Sequence, residues 1–263
     1  MGDIIEQCYH GMKSNGKSDV DFLYLMCNSH LIDYEKIVRG IQHKNKTLQM
    51  IINGCNHSFG DVFLTGNKEK NPWTSSSLFQ SQLKEKFTEI STSESLNGKN
   101  MIIMELGTHY GYTTGILSDI FKKIYAVDIS PYFIGINTVI NSSRKNIMYI
   151  QADIYNEGFW GFMKKMECPN VVFVDAIHSY ECVTEDIHHI LQLPSAEYII
   201  FDDYGSWNNV NRAVNDSIGR DELDIECYFG LKSQELNAIQ LPFGIQSDII
   251  QDCRESVMCK IKR

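Results

Sequence analysis

Residues 101 to 130, MIIMELGTHYGYTTGILSDIFKKIYAVDIS, constrain the fold more than any other part of the chain. A short apolar run, Met101 to Met104, ends on Glu105. A loop of small residues follows, then a helical pattern through Ile116, Leu117, Ile120 and Phe121, then a second apolar run, Ile124 to Val127, closed by Asp128. The periods read as strand, tight loop, helix and strand, one βαβ unit with an acid at each strand end. Glycine in the first loop lets the backbone approach a ligand closely, and the helix start presents free N–H groups beside it. An acid about 20 residues further on is where nucleotide-binding folds grip a ribose diol.

What the loop lacks narrows the ligand. A dinucleotide fingerprint, G-x-G-x-x-G, uses its middle glycine to admit a pyrophosphate. Here Gly107 and Gly111 have three residues between them, and the carboxylate of Glu105 stands just before. An acid at that place suits a ligand without phosphates that carries positive charge. The pattern E-x-G-x-x-x-G with a downstream Asp resembles the first motif of class I S-adenosylmethionine (SAM) methyltransferases.

The rest of the chain extends the alternation. Strands are expected at Ile147 to Ile150, Val171 to Val174, Tyr198 to Phe201, near Asp224 to Tyr228 and at Ser256 to Ile261. Helices are expected at Leu78 to Ile90, Pro131 to Ser142, Phe159 to Met166, Ser179 to Leu193 and Val210 to Ile218. Thr74 to Ser77 offer a cap for the first of these. The fold class is therefore α/β, a doubly wound, mainly parallel seven-stranded sheet. Ligands bind beyond the carboxyl ends of such strands, where Glu105, Asp128, Asp153, Asp175 and Asp202 all fall. One such Asp is commonly a helix cap. Five along one rim would repel one another without cationic company, such as a sulfonium and a divalent metal ion.

Residues 1–75 read as a helical and loop extension covering the substrate side, with short helices at Val20 to Met26, Tyr34 to Ile41 and Thr47 to Ile52; residues 76–263 read as the main domain. A mobile N-terminal arm fits the same residues. The net charge of −9 argues against a nonspecific binder of nucleic acid. No signal-peptide pattern and no run of about 18 apolar residues is present, so a cytoplasmic protein without a membrane partner is expected. The eight cysteines form no C-x-x-C and no zinc spacing, and are read as reduced thiols.

Two later stretches sharpen the resemblance. VDAIHSYECVTEDI followed by IIFDDYG is similar to the pattern D-x-x-H-S-Y-E…D, then F-D-D-Y, of metal-dependent sugar O-methyltransferases of the macrocin and aminocoumarin type, and more distantly to catechol O-methyltransferase. The likeness covers roughly residues 101 to 213. It implies a Rossmann-like class I domain that transfers methyl from SAM, with magnesium, to a sugar or glycan hydroxyl. It places Glu105, Gly107, Thr108, Tyr110 and Gly111 around the methionine end of SAM, Asp128 at the ribose and Asp153 near the adenine. It assigns Asp175, Asp202 and Asp203 to the metal, and His178, with Asp175, to proton removal. Hard cations do prefer carboxylate oxygens, and an imidazole suits deprotonation of an acidified hydroxyl.

Adjacent strand side chains point to opposite faces, so Asp202 and Asp203 share an ion only if the strand ends between them. Turn and cap roles for this pair, and a backbone-bonded role for His178, are the structural alternatives. Rival functions are methylation of a catechol or other phenol, RNA ribose methylation, and a silent SAM-fold subunit. The residues leave room for a homo-oligomer.

Overall fold

A computed structural model describes residues 74–93, 100–239 and 249–263, together with His10 and Ser14. The chain divides into two units, Met1–Gly66 and Asn67–Arg263, and all but those two described residues lie in the second. The helices and covering role expected over residues 1–75 therefore fall outside the described residues.

The elements of the second unit alternate as the periodicity implies. They are α1 (Ser77–Ser93), β1 (Ile102–Leu106), α2 (Tyr112–Ile120), β2 (Lys123–Asp128), α3 (Pro131–Ile140), β3 (Ile147–Gln151) and α4 (Glu157–Met163). There follow β4 (Val171–Val174), α5 (Tyr180–Leu191), β5 (Tyr198–Phe201), α6 (Asn208–Gly219), β6 (Leu223–Lys232), α7 (Ser233–Ala238) and β7 (Arg254–Ile261). One seven-stranded sheet has the order β3-β2-β1-β4-β5-β7-β6. The first five strands run parallel, and β7 pairs antiparallel with both β5 and β6. The sheet is doubly wound, as expected from the alternation.

Alternation along the strands sorts the core into two layers. In β1, Ile102, Met104 and Leu106 pack with Phe159 and Trp160 of α4 and with Val183 and Ile187 of α5. Met101 and Ile103 join Phe79, Leu83 and Phe87 of α1 and Leu117 of α2 on the other face. Both faces are covered, so β1, β4 and β5 are buried throughout and read in sequence as unbroken apolar runs. β3, at the sheet edge, has no fully buried residue.

Local chemistry sets the helix ends. Ser76 Oγ accepts from Phe79 N at 3.0 Å and starts α1. Asn156 accepts from Gly158 N at 2.9 Å and starts α4 before Phe159, where the apolar pattern begins. Among the described residues, no helix is long and apolar enough to cross a membrane.

Candidate active site

Gly107 leaves β1 with φ +84°, and its N–H donates to Val127 O at 2.9 Å. A Cβ here would lie 2.1 Å from Asp175 O, so the loop after β1 sits directly against the end of β4. Only glycine combines that conformation with that approach. Gly111, also at φ +84°, begins α2, and a Cβ on it would meet the Asn137 side chain at 2.3 Å.

Beside this loop opens a cleft of about 270 Å³. Gly107 and His109 line it from the first loop, residues 127–130 and Phe133 from the second, residues 152–155 from the third and residues 175–177 from the fourth. It lies beyond the carboxyl ends of β1 to β4, where an open α/β sheet binds its ligand. Ile129 and Ile177 line it and remain 64% and 50% exposed, which offers apolar faces to a flat ring.

Of the residues that the resemblance assigns to the donor, Gly107, Asp128 and Asp153 line the cleft. Asp128 Oδ2 accepts from Thr108 N at 3.0 Å and His109 N at 3.1 Å, and its Oδ1 accepts from Ser130 N at 2.8 Å. It thus braces the loop, and the residue also lines the cleft. Glu105, Thr108, Tyr110 and Gly111 are not among the cleft's lining residues.

Glu105 shares the strand parity of Ile103, so its side chain enters the α2 layer. There Thr114 Oγ1 donates to Glu105 Oε2 at 2.5 Å, and Asn137 Nδ2 donates to Thr114 Oγ1 at 2.7 Å. Burial pushes the Glu105 carboxyl well above the usual range; the Thr114 bond opposes this, and the charges of Asp175, Asp128 and Asp202 add to it. Tyr110 packs against His109, with ring centroids 4.0 Å apart.

The second feature lies at the ends of β4 and β5. Asp175, His178 and Asp203 each offer one ligand atom, all within 4.8 Å of one another. His178 Nε2 is 3.4 Å from Asp175 Oδ1 and 3.7 Å from Asp203 Oδ2. Trp207, just before α6, stacks on the imidazole at 5.3 Å and 12°, which fixes the ring plane. Burial lowers the His178 pKa, but Asp175 and Asp203, with Asp202 behind them, outweigh it and raise the ring to about 9.

Asp202 and Asp203 diverge. Asp202 continues β5 with its N–H on Val174 O at 3.1 Å, and its Oδ1 accepts from Ser256 Oγ of β7 at 2.5 Å. Its parity matches Ile200, on the α1 layer. Asp203 turns at φ 55°, a left-handed position, and its carboxylate faces His178. Two carboxylates and an imidazole with converging ligand atoms are a donor set that fits a divalent cation. Asp175 belongs to this set and also lines the cleft.

The sequence reading missed several cleft residues. His109, Phe133, Ile177 and Tyr155 carry no spacing signal, although Ile129, directly after the rim acid, could have been inferred from position.

Neither a comparison with protein-family models nor one with curated protein sequences finds a match. Solved structures do resemble the chain. A Klebsiella pneumoniae protein described as an O-methyltransferase aligns with a TM-score of 0.50 at 11% identity, over 87% of this chain and 96% of its own. The fold is that of the class I methyltransferases. A Streptococcus mutans protein described as a methyltransferase, solved with SAH, aligns at 0.46 and 16% identity over 70% of this chain and 98% of its own. Cofactor-bound Rv0187 from MTB aligns at 0.48 and 11% identity over 69% of this chain and 80% of its own.

Proposed function

We propose that the protein is a SAM-dependent O-methyltransferase that uses a divalent cation, magnesium in the first instance, and methylates a hydroxyl of a sugar, free or within a glycan. The observation that carries this reading is the double placement of Asp175, on the wall of the cleft and in the cluster with His178 and Asp203. It supports the reading because a donor in the cleft and a cation at the cluster would lie side by side. The choice of a sugar rests on the sequence resemblance around residues 175–204.

In this reading SAM occupies the cleft, with Asp128 at the ribose hydroxyls, Asp153 near the adenine and Ile129 and Ile177 against apolar surface. SAM supplies an activated methyl group on a sulfonium. Asp175 and Asp203 hold the cation, with Asp202 behind them, bonded to Ser256. A divalent ion there would offset the carboxylates, return the His178 ring to its neutral form and acidify a hydroxyl set against it. His178 Nε2 then takes the proton of the substrate hydroxyl, its ring held flat by Trp207. Most of the rate comes from holding acceptor oxygen and methyl carbon in line, which is worth several orders of magnitude.

The test is transfer of labelled methyl from SAM to a panel of sugars and glycans, with catechols and RNA alongside. Transfer to a sugar that stops in EDTA and returns with magnesium is the expected result. Undiminished transfer in EDTA overturns the cation; transfer to catechols or RNA alone overturns the sugar.

A further inference from the structure

Glu105 stands where the resemblance expects a contact with the donor, yet it is 1% exposed and is not among the residues lining the cleft. Its carboxyl meets instead a run of buried polar side chains between α2 and α3. Thr114 Oγ1 donates to Glu105 Oε2 at 2.5 Å, and Asn137 Nδ2 donates to Thr114 Oγ1 at 2.7 Å. Asn141 Nδ2 donates both to Asn137 Oδ1 at 2.9 Å and to the backbone oxygen of Gly111 at 2.8 Å. Thr114, Asn137 and Asn141 are all buried.

These bonds can run in one direction only. Both amide protons of Asn141 are in use, so Asn137 turns its oxygen toward Asn141 and its nitrogen toward Thr114. The threonine oxygen receives a proton from Asn137 and has its own to give, which Glu105 accepts. Residue 105 must therefore supply an acceptor, and nothing in the run requires a charge. Burial favours the neutral acid, the form that an amide resembles.

Two glycines show how closely this run holds the helices. A Cβ on Gly111 would lie 2.3 Å from Asn137 Cγ, and one on Gly115 would lie 2.8 Å from Asn141 Oδ1. Glycines one turn apart at the start of α2 thus face asparagines one turn apart at the end of α3. The bonds continue beyond Gly111. Gly111 N donates to Thr108 O at 2.8 Å, and Thr108 N donates to Asp128 Oδ2 at 3.0 Å. Asp128 and two residues of the loop, Gly107 and His109, line the cleft. Hydrogen bonds and the Gly111 backbone so join the buried carboxyl to the cleft wall.

We infer, on the reading that the cleft takes SAM, that Glu105 serves the donor without touching it. With Thr114, Asn137 and Asn141 it forms a clamp that fixes the loop from Gly107 to Gly111 in its donor-binding shape. The four are positioning residues. Loss of one link frees Gly111 and the loop it closes, and donor affinity falls although no contact with the donor is removed.

The test is SAH binding by calorimetry, well below the melting temperature of every variant, for wild type, Glu105→Gln, Thr114→Val, Thr114→Ser and Asn141→Ala. Under those conditions a residue that only stabilises the fold leaves the affinity unchanged. Glu105→Gln keeps the acceptor and should bind SAH like wild type, whereas a carboxylate that held the donor's ammonium group would cost about 10- to 100-fold. Thr114→Val removes the middle link at nearly constant shape and should weaken SAH about tenfold, the effect of one net hydrogen bond. Thr114→Ser restores the hydroxyl and should recover the affinity. Asn141→Ala, which frees Gly111 O, should match the valine variant and takes its place should that one not fold. Glu105→Gln losing tenfold or more, or Thr114→Val and Asn141→Ala binding SAH like wild type, overturns the clamp. A wild-type protein that binds no SAH overturns the donor-site reading itself.

Discussion

Replacing Gly107 with alanine tests the donor cradle most sharply, because the structure states the cost. The new Cβ would fall 2.1 Å from Asp175 O, 2.7 Å from Asp175 C and 2.9 Å from Ala176 Cα, all backbone atoms. Reaching ordinary contact at 3.4 Å requires the loop and the β4 end to separate by about 1.3 Å. Both are tied down, since Gly107 N bonds to Val127 O and Asp175 N to Leu106 O, each at 2.9 Å. A left-handed backbone costs a non-glycine residue ~1–2 kcal/mol, and loosening one of those bonds costs ~1 kcal/mol more.

A destabilisation of ~2–3 kcal/mol lowers the melting temperature of a domain this size by roughly 5–10 °C. Because Asp175 moves too, methyl transfer should fall by about 100-fold, the usual result of a 1 Å misplacement. Thermal melting, SAH calorimetry and labelled-methyl transfer read the three effects. Gly161→Ala is the control: its Cβ meets nothing within 4 Å, and α4 should tolerate it or gain slightly. Should Gly107→Ala melt and bind SAH like wild type, the cradle reasoning is wrong.

The cation cluster gives two further expectations. His178 has a raised pKa, so its stabilising contribution is complete below about pH 6.5 and fades as pH rises through about 9. Without metal, the melting temperature should decline across that window, and His178→Gln should flatten the profile; an unchanged slope refutes the assignment. The same proton competes with a cation, so manganese affinity should climb by up to roughly tenfold per pH unit until about pH 9. In manganese titrations Asp203→Asn should lose about 10- to 100-fold in affinity, as removal of a ligand or its orienting group does. Asp202→Ala should instead cost ~1–3 kcal/mol of stability by leaving Ser256 buried without its acceptor. Equal metal loss in both variants would show that the two acids act together.

Much of the fold was legible because strands buried on both faces leave unbroken apolar runs. Val171–Val174 and Tyr198–Phe201 lie where the residues alone put them. The antiparallel insertion of β7 between β5 and β6 was not readable, since it depends on pairing between strands with a helix between them in sequence. Nor was α7, six residues of weak pattern.

At the site, the rim acids were legible as strand ends, but their directions were not. Glu105 follows Ile103 in parity and enters the α2 layer. Asp202 and Asp203 part because Asp203 bends left-handed, a conformation that aspartate adopts more readily than most residues but that no spacing in the sequence announces. Tyr155 and Trp207 are brought to the site by packing between segments far apart in sequence, which leaves no local motif.

The account stands or falls on a donor and a cation lying side by side at Asp175. A crystal structure with SAH and manganese, read by the anomalous signal, measures this directly. The account predicts SAH in the cleft along residues 127–130 and one manganese ion bound by Asp175 and Asp203 next to the SAH sulfur. SAH in the cleft with manganese elsewhere, or bound nowhere, would contradict it.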